Sequence, residues 1–139
     1  MVIGVDFDGT VVTHEYPQVG KDIGAIPVLK KLVENGHQLI LNTMRSGREL
    51  GDAIDWFREN GIELYGVGYN PTQARWTSSP KCYAELYIDD AALGAPLTIL
   101  KVKNDDGDVI SYGRAFINWD VVEDYLTNMG LINQTKVGE

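Results

Sequence analysis

Two aspartates one residue apart stand at the end of an apolar run, in Val2-Ile3-Gly4-Val5-Asp6-Phe7-Asp8-Gly9-Thr10. In extended chain, residues two apart point the same way, so Asp6 and Asp8 aim at one spot while Phe7 turns toward a core. Gly9 lets the backbone turn sharply just beyond them. Carboxylates held together raise each other's pKa unless a cation keeps them ionised, so the pair predicts a bound metal. A second acidic pair, Asp89-Asp90, follows another short apolar run. Thr43, with Met44-Arg45-Ser46 at a helix entrance, offers a hydroxyl and free backbone amides to an anion. Lys81 can bring a positive charge to that anion. Carboxylates, a metal, a helix N-terminus and a lysine around one point are the parts that hold a phosphoryl group for in-line attack.

The elements that must position these groups follow from periodicity. The β-branched run 2–5 reads as a strand buried on both faces, which belongs inside a parallel sheet. Residues 11–20 contain Pro17 and Gly20 without a clear period and read as a flap over the site; His14 and Tyr16 on it are candidate substrate contacts. A helix is expected over 22–35, with Ile26, Leu29, Leu32 and Val33 as its apolar stripe. Strand 38–42 follows, then a helix opened by a Ser46–Glu49 capping box and stopped at Gly61. Residues 64–68 read as a weak third strand, 69–81 as irregular, and 85–88 as a fourth strand. Asn70, just past the third strand, would then point at the site end of the sheet. Leu97 to Tyr112 reads as a hairpin around Asn104-Asp105-Asp106-Gly107-Asp108. A closing helix over 120–129 is expected to have Glu123 in a capping box and Val122, Tyr125, Leu126 and Met129 inward, with a frayed end after Leu131.

This order describes a single α/β domain over residues 1–139: a three-layer Rossmann-like parallel sheet with helices on both faces, a small C-terminal hairpin and a closing helix. Right-handed crossovers put strands one to three in sequence on one side and return the fourth to the other side of strand one. The crevice between strands one and four then gathers Asp6, Asp8, Asp89 and Asp90. Such an oxygen-only donor set favours Mg²⁺ over zinc.

Asp6-Phe7-Asp8-Gly9-Thr10, Leu39-Ile40-Leu41-Asn42-Thr43, Lys81 and Tyr87-Ile88-Asp89-Asp90 together resemble the four ordered motifs of the haloacid dehalogenase (HAD) superfamily, phosphatase branch. The resemblance covers residues 1 to about 94 and leaves the tail unmatched. It implies a Mg²⁺-dependent phosphomonoester hydrolase in which Asp6 becomes an aspartyl phosphate and Asp8 is general acid and then base. Thr43 and Lys81, with the backbone at Met44 and Gly9, would hold phosphoryl oxygens. Asp6, the main-chain carbonyl of Asp8, Asp89 and Asp90, directly or through water, would hold the metal. Arg45 would add a phosphate contact or a surface salt bridge. The gaps 11–42 and 44–80 are filled by core elements, which implies a minimal, capless member open to a small phosphorylated molecule or a phosphorylated polymer end. A phosphotransferase, or a non-catalytic module binding phosphate and Mg²⁺, is the alternative. A phosphorylation-regulated receiver fits less well, because its phosphoacceptor closes the third strand, which here reads Gly66-Val67-Gly68.

Composition bounds the rest. A net charge of −8 disfavours sequence-independent nucleic-acid binding. No apolar run approaches a membrane span, and Met1 leads directly into a strand, so a cytoplasmic protein is expected. Cys82 is the one cysteine, which excludes an internal disulfide framework. The oligomeric state and the purpose of the hairpin are not encoded in any motif.

Overall fold

The computed structural model describes residues 1–133, without the Tyr112 side chain. Its described elements run β1 (Val2–Val5), α1 (Ala25–Glu34), β2 (Gln38–Leu41), α2 (Gly47–Glu59), β3 (Gly66–Val67), a 3₁₀ turn (Gln73–Arg75), β4 (Leu86–Ile88), β5 (Leu97–Lys103), β6 (Val109–Ile117) and α3 (Trp119–Asn128). The chain is thus an α/β protein with a four-stranded parallel sheet ordered β3-β2-β1-β4 and a two-stranded antiparallel sheet, β5-β6. With β1 inside the sheet and β4 returning to its far side, right-handed crossovers put α1 and α2 on one face and the β3–β4 connection on the other.

Strand register separates the two faces. Ile3 is level with Leu39 and Leu86, and Val5 with Leu41 and Ile88. These rows join Phe7 in one core with Leu29 and Leu32 of α1, Ala53 and Phe57 of α2, and Trp119, Val122 and Leu126 of α3. Phe7 meets Trp56 and Phe57 at ring-centroid distances of 5.8 and 6.2 Å, which fixes α2 beneath the end of β1. Each such buried side chain contributes about 1.5–3 kcal/mol.

The other face is built differently from the expectation of helices on both sides. Gly4 is level with Ile40 and Tyr87 there. A Cβ at Gly4 would lie 3.0 Å from the Tyr87 ring, so glycine makes room for that ring's close approach. Segment 69–85 covers this face, and two buried amides hold it together. Gln73 donates to the carbonyls of Ser79 and Lys81 and accepts from Tyr83 N–H. Asn70 donates to the Tyr83 carbonyl and accepts from the Thr72 backbone and hydroxyl. Buried amides with every partner supplied can stand in for a helix, because they satisfy the backbone of an irregular segment.

Two expected caps are replaced. Ser46 sits at the start of α2 in extended conformation without a side-chain cap bond, so the Ser46–Glu49 box is not made. Asn118 caps α3 by accepting from Asp120 and Val121 N–H, while Glu123 pairs with Lys31 of α1 at 2.9 Å. Tyr125 and Met129, expected inward, are about half exposed, since α3 buries only the stripe through Trp119, Val122 and Leu126. Ile132 is buried in the core rather than frayed; residues 134–139 lie outside the described residues.

Candidate functional site

Adjacent parallel strands β1 and β4 end side by side, and their C-terminal extensions bring Asp6, Asp89 and Asp90 together. Asp6 N–H donates to the Ile88 carbonyl at 3.0 Å, which continues the ladder one residue past β1. Carboxylate oxygens of the three aspartates lie within 4.8 Å of one another.

Thr10 links two of them. Its buried hydroxyl is 3.0 Å from Asp6 Oδ2 and 3.2 Å from Asp90 Oδ1, and it accepts from Asp90 N–H at 3.1 Å. One hydroxyl proton faces two carboxylate oxygens, so it cannot satisfy both. His14 adds a donor, its Nε2 standing 3.0 Å from Asp90 Oδ2. Gly9 adopts φ 76°, and a Cβ there would lie 2.0 Å from His14 Nε2 and 2.6 Å from Asp90 Oδ2. Only glycine lets the turn, the imidazole and the second acid share that space.

Electrostatics at Asp6 reflect this crowding. Burial, then the neighbouring charge of Asp89 and contact with Asp90, push its carboxyl up from 3.8 to about 7, against the opposing Phe7 backbone and Thr10 hydrogen bonds. An ion with hard oxygen preference suits this donor set and would reverse that shift. The residues present therefore fit Mg²⁺ or a similar divalent cation.

Asp8 has a separate environment. Both its oxygens accept from Arg45, Oδ2 from Nε and Oδ1 from Nη2, each at 2.7 Å. Arg45 Nη1 donates to the Pro17 and Glu49 carbonyls at 3.2 Å, and Nη2 to the Gln18 carbonyl at 2.8 Å. All five guanidinium N–H groups are thereby engaged. The plane also lies between the Phe7 and Tyr16 rings, 4.9 and 5.2 Å from their centroids. Neither expectation for Arg45 is met here: it is a buried fork, without a spare donor for phosphate and without the exposure of a surface pair.

Loop 13–21 is closed at its neck by Thr13 N–H on the Lys21 carbonyl, 3.0 Å, and Lys21 N–H on Thr13 Oγ1, 2.9 Å. It overlaps residues 11–20, expected as a flap, whose first two residues, Val11 and Val12, are instead buried in the core, and it reaches both acidic clusters: His14 touches Asp90, and Pro17 and Gln18 reach Asp8 through Arg45.

Thr43 closes β2 and accepts from Arg45 N–H at 3.1 Å, which leaves its own hydroxyl proton to donate. Met44 beside it is almost wholly exposed. Lys81 is not gathered with the acids. Its ammonium lies 5.5 Å from the Tyr87 ring centroid, in a depression with Trp76 and Tyr83 on the sheet face opposite the helices. Asn70 is buried and bonded through both its amide nitrogen and its amide oxygen within segment 69–85, so the site role expected of it is replaced by a structural one. Thr10 was legible only as part of a motif; its bridging hydroxyl had no separate signal. The tie from His14 to Asp90 had none either, because the two residues are 76 positions apart.

No protein-family model and no curated protein matches this chain. A solved structure of a conserved protein coded by a locus of Bacteroides thetaiotaomicron is 32% identical in sequence, with a TM-score of 0.69. The likeness covers 93% of this chain and 91% of that one. The chain belongs to the family of that conserved protein. None of its described helices is long and apolar enough to cross a membrane.

Proposed function

We propose that the protein is a Mg²⁺-dependent phosphomonoester hydrolase of HAD type, with Asp6 as its nucleophile. The observation that carries this reading is the meeting of Asp6, Asp89 and Asp90 at the ends of two adjacent parallel strands, with Thr43 just past the end of β2, the strand on the other side of β1, and α2 following it. In this reading the sheet is a Rossmann-like HAD core, with segment 69–85 serving as its third layer and no inserted cap. Asp6 attacks phosphorus, the bond to the leaving oxygen breaks, and Asp8 gives that oxygen a proton. Water then attacks the phosphorus of the aspartyl phosphate and passes a proton to Asp8; the bond to Asp6 breaks and inorganic phosphate leaves. Thr43 donates to a phosphoryl oxygen, and Lys81 would have to leave the Tyr87 ring to do the same. When bound, Mg²⁺ supplies positive charge beside the nucleophile. Asp6, Asp89 and Asp90 would hold it, with the Asp8 carbonyl. An intracellular compartment suits the unpaired, buried Cys82, whose thiol burial pushes up and so keeps unreactive.

The test is turnover of a panel of sugar, nucleotide and polymer-end phosphomonoesters with Mg²⁺, using Asp6→Asn as blank. Hydrolysis by the wild type alone is expected. Equal rates in the two proteins would remove the covalent mechanism. A second reading, a module that binds Mg²⁺ and phosphate without turnover, is favoured by the fork that occupies both Asp8 oxygens. Mg²⁺ binding with no hydrolysis across the panel would select it.

A further inference from the structure

We propose that Arg45 is a positioning residue that latches the flap to Asp8, so that lifting the flap and freeing Asp8 for proton transfer are one event. This rests on the phosphatase reading for its consequence, though not for its structure. Asp8 touches the flap tip only through the guanidinium: Nε and Nη2 hold its two oxygens, while Nη1 and Nη2 hold the Pro17 and Gln18 carbonyls.

The Arg45 side chain is 1% exposed, whereas residues 15–19 of the flap are exposed. The flap tip is therefore held from beneath by one group whose donors are all in use. A guanidinium fixed at one end by two charge-assisted bonds keeps the geometry that its remaining donors need, so loss of either end weakens the other. To protonate a leaving group, Asp8 must give up at least one of its two bonds. That frees the flap carbonyls' donor to shift with it. A substrate that displaces residues 16–18 on entry would break the same assembly from the other end, and would release Asp8 only when there is something to protonate.

Hydrogen exchange in the substrate-free protein tests the latch. The Thr13 and Gln18 amides, both hydrogen-bonded within the flap, are the probes. Asp8→Asn is expected to speed their exchange roughly tenfold or more, the worth of a hydrogen bond to a charged group, although the Asp8 side chain has no hydrogen bond to the flap of its own. Arg45→Lys should do the same, and the double variant should exchange no faster than the faster single one. Flap exchange at the wild-type rate in Asp8→Asn would overturn the latch. So would additive acceleration in the double variant.

Asp8→Asn keeps the side chain's shape, so the test survives if Arg45→Lys fails to fold. In turnover, Arg45→Lys should change the ratio of kcat for an alkyl phosphate to kcat for p-nitrophenyl phosphate by roughly tenfold or more, because only the alkyl leaving group needs the proton. An unchanged ratio would mean a merely structural arginine. If the wild type hydrolyses nothing but the exchange coupling holds, the phosphatase reading falls and the latch stands; turnover without coupling does the reverse.

Discussion

Asp6 and Asp8 are two residues apart, yet the regions around them are electrostatic opposites. Around Asp8, each carboxylate oxygen has a guanidinium donor and each of those donors has an acceptor. Around Asp6, three carboxylates meet, and the side-chain donors among them in the described residues are the Thr10 hydroxyl and the His14 imidazole. One region is balanced by its own groups, and the other keeps an excess of negative charge. A matched buried ion pair gives rigidity and geometry, whereas an unmatched acidic cluster gives affinity for whatever brings positive charge.

The sharpest way to break this contrast is to remove the nucleophile. Asp6→Asn should lower kcat by at least about a thousandfold in the phosphomonoester assay, while near-ultraviolet circular dichroism shows the fold intact. On the balanced side, Arg45→Met leaves Asp8 without its fork and two flap carbonyls without donors. Urea unfolding should report a loss of roughly 3–5 kcal/mol, the usual consequence of removing one partner of a buried pair. A loss under about 1 kcal/mol would place the fork among weak surface pairs.

Two smaller effects concern the unbalanced side. His14→Ala takes a donor from Asp90 and should weaken Mg²⁺ binding by about tenfold in isothermal titration, as expected for a group that orients a ligand. Unchanged affinity would make His14 a flap residue only.

The pH dependence has a definite sign. In the metal-free protein the Asp6 carboxyl stands at about 7 against an ordinary 3.8, so the folded state holds that proton more tightly than the unfolded chain. Its contribution to stability is fully present below 3.8 and is lost as pH rises through about 7. The difference in Tm between wild type and Asp6→Asn should grow across that window and level off above it. Mg²⁺ should abolish the trend, because it favours the ionised form, and its affinity should climb with pH until about 7.

The legibility of the fold varied with the range of the forces involved. β1, β2 and β4 and the three helices lay close to their expected positions, because each is written in a local apolar period or a run of β-branched residues. The caps of α2 and α3 did not, since Asn118 and Ser46 compete with neighbours whose backbone geometry the sequence leaves open. The cover over Gly4, Ile40 and Tyr87 was expected to include helix and is an irregular segment instead. No period announces a layer held by the amides of Gln73 and Asn70.

By itself the sequence determined that acids stand at strand ends, and that the strand carrying Asp6 neighbours the strand carrying Asp89. Strand ends follow from short-range pattern, and the expected neighbour order follows from the doubly wound arrangement, in which the chain returns to the far side of its first strand. Only the tertiary structure decided how those acids divide: Asp6 with Asp89, Asp90, Thr10 and His14, and Asp8 with Arg45 and the flap. That division depends on side-chain hydrogen-bond partners up to 80 positions apart. A charge chooses its partner by distance and burial in the folded chain, and local sequence fixes neither.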